Sequence, residues 1–303
     1  MKHIPVLLSE VLKILDPKPG QFVVDGTIGS GGHSQALLQI ISKKGRLLGI
    51  DRDPETIIRL KDTLSAYSGQ VTLVADCYQN LPAVLHHYNL PSPNIILLDL
   101  GLSSIQLDDK ERGFSFQQEG PLDMRFDRST GLTAQQLLDH SSAETLRKIF
   151  KEYGQEPLAG QIARAVKENR PQGSLALAKI AEQIYAKRYH RPSTTHPATR
   201  IFQALRIAVN DELVEVAEGI KECFKVLAPK GRMAVITFHS LEDRIVKQFF
   251  RSVVQGIADP LTGQRTPFAR NLTTRAIMPS EQEKEANSRS RSAKIRAIEK
   301  LIS

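Results

Sequence analysis

The sequence predicts an α/β fold: a mostly parallel, doubly wound sheet interrupted by an all-helical insertion. Three observations predict it. Over the first hundred residues, short continuous apolar runs alternate with amphipathic helical patterns, as buried parallel strands and their crossover helices do. Each run ends in polar residues or glycine. From about Ile105 to Thr195 there is no strand-like run, and the alternation then resumes.

The strand candidates, in order, are "FVVDG" (22–26), "RLLGIDRD" (46–53), "VTLVAD" (71–76), "NIILLDLG" (94–101) and "GRMAVITFHS" (231–240). Between the first four lie the helical patterns "HSQALLQIIS", "DPETIIRLKDTLSA" and "LPAVLHHY". Asp25, Asp51, Asp76 and Asp99 fall at strand carboxyl ends, where open α/β sheets hold their ligands. The insertion reads as helices through "TAQQLLDH", "SAETLRKIFKEY", "PLAGQIARAVKEN" and "SLALAKIAEQIYAKRY". One long helix, "PATRIFQALRIAVNDELVEVAEGIKECFKVL", is expected to lead back to the sheet. In the tail, "TTRAIMP" and "SAKIRAIEK" could form antiparallel edge strands, the second being helix/strand ambiguous. The expected division is a core of residues 1–105 and 196–303, the latter with a basic tail, around a helical insertion at 106–195.

Composition narrows the function classes. The 303 residues are 41% hydrophobic and 24% charged, ordinary for a soluble globular protein. "MKHIPVLLSEVLKIL" lacks the basic and apolar regions of a signal peptide, and no apolar run approaches the roughly 18 residues of a membrane helix. Cys77 and Cys223 stand far apart with no metal-ligand spacing around them. A cytoplasmic protein with reduced thiols, no resident metal and no membrane partner is expected. The net charge of +8 is concentrated. Residues 151–210 hold ten Lys/Arg against four Asp/Glu, and residues 265–303 hold nine against four, so the rest sums to −3. Such segments suit a polyanion, because each neutralised phosphate releases counterions.

"VVDGTIGSGGHS" (23–34) is a strand, a glycine turn and a helix start. A dinucleotide fingerprint would continue Gly29-Ser30-Gly31 to a glycine at position 34, where the chain has Ser34. What remains is an acid followed by spaced glycines, which resembles the methyltransferase pattern. S-adenosylmethionine has no phosphate, so these glycines would admit backbone to its methionine end while a carboxylate offsets its positive charge. Asp51 would pair with ribose hydroxyls, or would cap the helix before Pro54. Tyr78 would flank adenine, or would be a core aromatic.

The blocks "DGTIGSGGHS", "LLDLGLSSIQLDDKERGFSF", "GPLDMRFD", "HPATRIFQALRIAVNDEL" and "TFHSLEDRIVK" together resemble the RsmH (MraW) family, bacterial methyltransferases of 16S rRNA. The likeness runs from "HIPVLLSEVL" to "SRSRSAKIRAIE". It implies a class I (Rossmann-like) S-adenosylmethionine-dependent sheet with an inserted helical domain. It also implies methyl transfer to the N4 amine of a cytidine in the small ribosomal subunit. Cofactor contacts are implied at Gly31, Gly32, His33, Asp51, Tyr78, Asp99 and Gln106. The chain departs from the family at Ile28 and Tyr78, where Phe is usual, and at Asp76, where glycine is expected. Asp76 could reach the adenine amino group.

Amino methyltransferases often carry Asp/Asn-Pro-Pro-aromatic after the fourth strand, and here "DLGLSS" stands instead. The proton-acceptor candidates are therefore Asp99 first, then Ser103, Asp123, His196 and His239. Arg125 could pair with Asp123 or Asp127. Lys187, Arg188, Arg191, Arg200, Arg289 and Arg291 are the phosphate-contact candidates, and the partner expected is 16S rRNA or the small subunit, with a second copy of the chain as a further candidate partner in a homodimer. Competing readings are a methyltransferase on another nucleic acid or on protein, and a non-catalytic cofactor-binding assembly factor. A nicotinamide oxidoreductase is disfavoured by Ser34.

Overall fold

The computed structural model describes residues 5–189 and 196–301. It divides into two compact units, Met1–Gly101 with Leu213–Ser303, and Leu102–Glu212.

The first unit begins with α1 (Leu8–Leu15), β1 (Phe22–Asp25), α2 (Gly32–Ile41), β2 (Arg46–Asp51) and α3 (Pro54–Thr63). β3 (Val71–Ala75), α4 (Leu81–His87) and β4 (Ile95–Asp99) follow. The second unit holds α5 (Ser104–Asp108), α6 (Ala134–His140), α7 (Ala143–Glu152), α8 (Ala159–Asn169), α9 (Ser174–Arg188) and α10 (Ala198–Asn210). The chain returns through α11 (Glu212–Val226) to β5 (Arg232–Thr237) and α12 (Ser240–Gln255). A short hairpin of β6 (Ile257–Ala258) and β7 (Arg265–Thr266), then β8 (Ala269–Asn271), α13 (Glu281–Ala286) and β9 (Lys294–Lys300), completes it.

The seven-stranded sheet has the order β3-β2-β1-β4-β5-β9-β8. β1 to β5 run parallel, and β9 lies antiparallel between β5 and β8. The ambiguous "SAKIRAIEK" is thus a strand. Its alternating pattern satisfies both faces, with Ile295 and Ala297 in one core cluster and Ile298 in the other. The same period of two explains the continuous apolar runs. Val24, Leu48, Ile96 and Val235 face one layer, while Val23, Leu47, Ile95 and Ala234 face the opposite one.

Three expectations are corrected, the first being "TTRAIMP", which forms no strand: the edge partner of β9 is β8, and Ile277 makes only an isolated bridge to Ile295. The long helix before β5 is two helices, because Asp211 turns left-handed (φ 52°) and ends α10. Asn210 fixes that break: its amide donates to the Met124 and Arg206 carbonyls, and its Oδ1 accepts from Phe126 N–H. The helical unit also reaches beyond 106–195 on both sides. Ile201, Phe202, Ala204 and Leu205 of α10 pack into its core with Leu146, Phe150, Ile162 and Leu177, so residues 198–210 belong to it rather than to the sheet. Among the described residues, no helix is long and apolar enough to cross a membrane.

Candidate active site

β1 ends at Asp25 and the chain enters the glycine loop. Gly29 (φ 50°) and Gly31 (φ 78°) take the left-handed conformation that side chains disfavour. At Gly26 and Gly32 space is the constraint. A Cβ would stand 2.5 Å from Leu98 Cδ2 and 2.5 Å from Pro5 Cγ, respectively. Asp51, at the end of β2, braces the loop by accepting the Gly29 N–H at 3.0 Å and the Asp53 N–H at 2.9 Å. Burial pushes its carboxyl up to about 6, against the pull of those two N–H groups. The cap of α3 is Asp53, which accepts the Glu55 N–H, so the helix-cap alternative does not account for Asp51.

Behind the loop, Asp25 is only 2% exposed. It accepts Ser34 Oγ–H at 2.6 Å and the Thr27 N–H at 3.4 Å. Burial raises its pKa, and Ser34 opposes the rise. Ser34, the residue that breaks the dinucleotide fingerprint, is therefore the partner of the strand-end acid.

Asp99 ends β4 with its N–H donated to Thr27 Oγ1 at 2.6 Å, which ties it to the loop. Its Oδ1 is buried and has no hydrogen-bond partner among the described residues. Its Oδ2 lies 3.5 Å from His33 Nδ1. Burial, with Glu242 adding repulsion, pushes the carboxyl up to about 7, into the range where a base can work at neutral pH. His33 is buried, and its Nε2 stands 2.9 Å from the Val6 carbonyl. Burial lowers its pKa, while Asp25 pulls the other way. The structure thus brings Gly31, Gly32, His33, Asp51 and Asp99 into one cluster with Asp25.

Other candidates have different work. Tyr78 is 4% exposed, in the sheet core, and its ring packs so tightly on α11 that a Cβ at Gly219 would meet Tyr78 Cε2. Of the two readings of Tyr78, this packing favours the core aromatic. Asp76 Oδ1 accepts Cys77 N–H and Asn80 Nδ2–H, which closes the turn after β3. His239 is the cap of α12: its Nδ1 accepts the Glu242 N–H while Glu242 Oε2 accepts the Phe238 and His239 N–H groups. That reciprocal cap, rather than proton transfer, explains its place.

The helical unit holds the remaining candidates. Ser103 and Gln106 form a capping box at the start of α5, each side chain accepting the other's backbone N–H. Asp123 is clamped by Arg125, with Nε to Oδ1 at 2.8 Å and Nη2 to Oδ2 at 3.0 Å, and Arg128 lies 3.5 Å away. Burial would raise its carboxyl, but Arg125 outweighs that and holds it below the usual range. Asp123 is thus an ion-pair anchor and a poor base, and of its two flanking acids Arg125 pairs with this one. His196 Nε2 meets Glu182 at 2.8 Å, its Nδ1 accepts the Ala198 N–H, and its ring stacks on Phe116. It caps and packs the start of α10. Lys187, Arg188, Arg200 and Arg291 are exposed and Arg289 is half-buried. Arg191 lies outside the described residues.

Several residues escaped the sequence reading. Glu242 is buried beside Asp99, and the His-x-x-Glu spacing of "HSLE" carried its capping signal. Val6 and Glu283 reach the site through long-range contacts with no local signal: Glu283 Oε1 accepts the Leu7 N–H at 2.7 Å. Arg112 is buried in the helical unit and donates to the Arg125 and Phe126 carbonyls.

A model of the MraW methylase family matches residues 1–301. A relative from Syntrophotalea carbinolica, named Ribosomal RNA small subunit methyltransferase H, is 44% identical, and the match covers 99% of this chain and 98% of that protein. Proteins of the same name from Nitratidesulfovibrio vulgaris strain DP4 and from Trichlorobacter lovleyi are each 43% identical over 99% of this chain, covering 95% and 98% of their own lengths.

Proposed function

The chain belongs to the MraW methylase family, and from that premise we propose that it transfers a methyl group from S-adenosylmethionine to the exocyclic N4 amine of a cytidine in the decoding region of 16S rRNA. The observation that carries the chemistry is Asp99: a carboxyl at the end of β4, raised toward neutrality, with one oxygen buried and unpartnered. The relatives named for small-subunit rRNA methylation support the substrate class.

The residues present fit the cofactor. The loop is built tightly from glycine, left-handed at Gly29 and Gly31 and packed against Leu98 at Gly26 and Pro5 at Gly32, and the carboxyls of Asp25, Asp51 and Asp99 lie around it. When bound, the cofactor supplies an electrophilic methyl on a positively charged sulfur. Asp51 takes the ribose hydroxyls on the lone pairs that Gly29 and Asp53 leave over. Asp25, held by Ser34, sets a negative potential beneath the loop. Gln106 is a further cofactor contact in this proposal. Asp99 accepts a hydrogen bond from the N4 amine, draws its lone pair out of conjugation with the ring, and takes its proton. The target base must leave its stack to reach the site, which single-stranded RNA permits at low cost. The helical unit, with Lys187, Arg188 and Arg200, and the tail, with Arg289 and Arg291, hold the strand in this reading.

Thermal unfolding with S-adenosylhomocysteine and with NAD, followed by methyl incorporation into unmethylated small subunits, tests the proposal. Stabilisation by the homocysteine compound and label in the RNA are expected. Stabilisation by NAD alone, or no label in RNA, overturns it.

A further inference from the structure

The Asp99–His33 contact holds more than a binding site needs. A carbonyl can only accept, so the 2.9 Å contact with Val6 O places a hydrogen on His33 Nε2. Neutral His33 therefore presents a bare Nδ1 lone pair, and Nδ1 lies 3.5 Å from Asp99 Oδ2. With Asp99 ionised, two acceptors confront each other in a buried site. With one proton between them, an O–H···N bond forms once the 3.5 Å gap closes by about half an ångström, and the conflict ends. The Asp99 Oδ1 has no partner to compete for that proton.

The strap that fixes the tautomer is itself held. Pro5 packs on Gly32, Val6 meets His33, and the Leu7 N–H is taken by Glu283 of α13 at 2.7 Å. Leu7 sits in the left-handed region at φ 54°, a conformation that needs such outside support.

We propose that Asp99 and His33 form a one-proton pair, in which Asp99 is the proton acceptor for methyl transfer and His33 is a positioning residue whose bare Nδ1 receives the hydrogen Asp99 acquires. The inference rests on the N4 reading above. In the step, the N4 lone pair forms the C–N bond, the C–S bond breaks, and its electron pair stays on sulfur. The methylated amine then carries one proton too many. That proton passes to Asp99 Oδ2 and is shared with His33 Nδ1, and no oxidant or further reactant is required. The charged groups that face the pair are Asp25 of β1 toward both members, Glu283 of α13 toward His33, and Glu242 of α12 toward Asp99. All are acids, so every neighbour favours retention of the proton by the pair.

The test uses the full chain, without cofactor, labelled with nitrogen-15 in histidine and carbon-13 in aspartate carboxyls. At alkaline pH His33 should show Nε2 protonated and Nδ1 bare, and the Asp99 carboxyl and Nδ1 signals should move together in one step as the pH falls through neutrality. A hydrogen on Nδ1 at alkaline pH, or two independent steps, would overturn the pair. His33→Gln keeps a donor toward Val6 but removes the Nδ1 lone pair. Its single-turnover methyl transfer should fall about tenfold, with the pH midpoint moved down by about one unit. An unchanged midpoint would also overturn the pair. If the label reaches a base atom other than N4, the N4 reading fails, while the cofactor-free titration still decides the pair.

Discussion

Asp99→Asn should make the protein more stable and far less active, a combination that a merely structural aspartate would not give. Ionised Asp99 is held in a site where burial and Glu242 oppose its charge, so its carboxyl rises from 3.8 to about 7. A rise of that size corresponds to roughly 4 kcal/mol of penalty on the ionised folded state. The side chain keeps 24% of its surface, so solvent offsets part of this, and about 2 kcal/mol is the working figure. The asparagine amide can also donate to the bare His33 Nδ1 beside the carboxylate. In urea unfolding at pH 8 the variant should therefore gain about 2 kcal/mol over wild type, while single-turnover methyl transfer falls at least ~100-fold. The sign of the pH dependence follows from the raised value. The penalty is absent below the unfolded value of 3.8, grows as pH rises, and is complete above about 7. The stability gap between variant and wild type should thus close as the pH drops toward about 4. A variant less stable than wild type at pH 8, or one that retains its rate, would refute the reasoning.

The remaining expectations concern other parts of the site. Ser34→Ala removes the buried hydroxyl that Asp25 accepts at 2.6 Å and should cost about 1–3 kcal/mol in urea unfolding; a loss below about 0.5 kcal/mol would show that Asp25 does not depend on it. Methyl transfer should rise with pH through about 7, because Asp99 must be ionised to take a proton, and a rate that is flat from pH 6 to pH 8 would remove Asp99 from that role. Charge reversal at Lys187 and Arg188 should weaken binding to small subunits, and the slope of the salt dependence should fall by about one unit for each phosphate that is no longer neutralised. Calorimetry should show S-adenosylhomocysteine affinity unchanged in that variant.

Much of the sheet was legible because its strands are buried on both faces and therefore read as continuous apolar runs such as "IILLD". The carboxylates at strand ends were legible for the same reason: a sharp switch from apolar to acidic marks where a parallel strand meets its ligand edge. Tyr78 stays open between two places in the sequence because a tyrosine one turn past a strand has the same signature whether its ring points to a cleft or to α11; the close approach of Gly219, over a hundred residues away, is what favours the core. The boundary of the helical unit was displaced because α10 and α11 share one helical period across Asp211, and periodicity is blind to a single left-handed residue. Ser103, Asp123, His196 and His239 drew attention as reactive residue types. Their capping and ion-pair partners lie two to fourteen residues away, and the short-range ones could have been found from N-cap and capping-box spacing. The strap of Pro5, Val6 and Leu7 could not, since it depends on Glu283 at the far end of the chain.

The most direct measurement is where the methyl goes. Small subunits that lack the modification are incubated with the protein and labelled S-adenosylmethionine, the 16S rRNA is digested to nucleosides, and the labelled nucleoside is identified by mass spectrometry. Label in N4-methylcytidine from the decoding region, lost in Asp99→Asn, is the expected result. Label on a ring carbon, on another base, or on ribosomal protein would contradict the account.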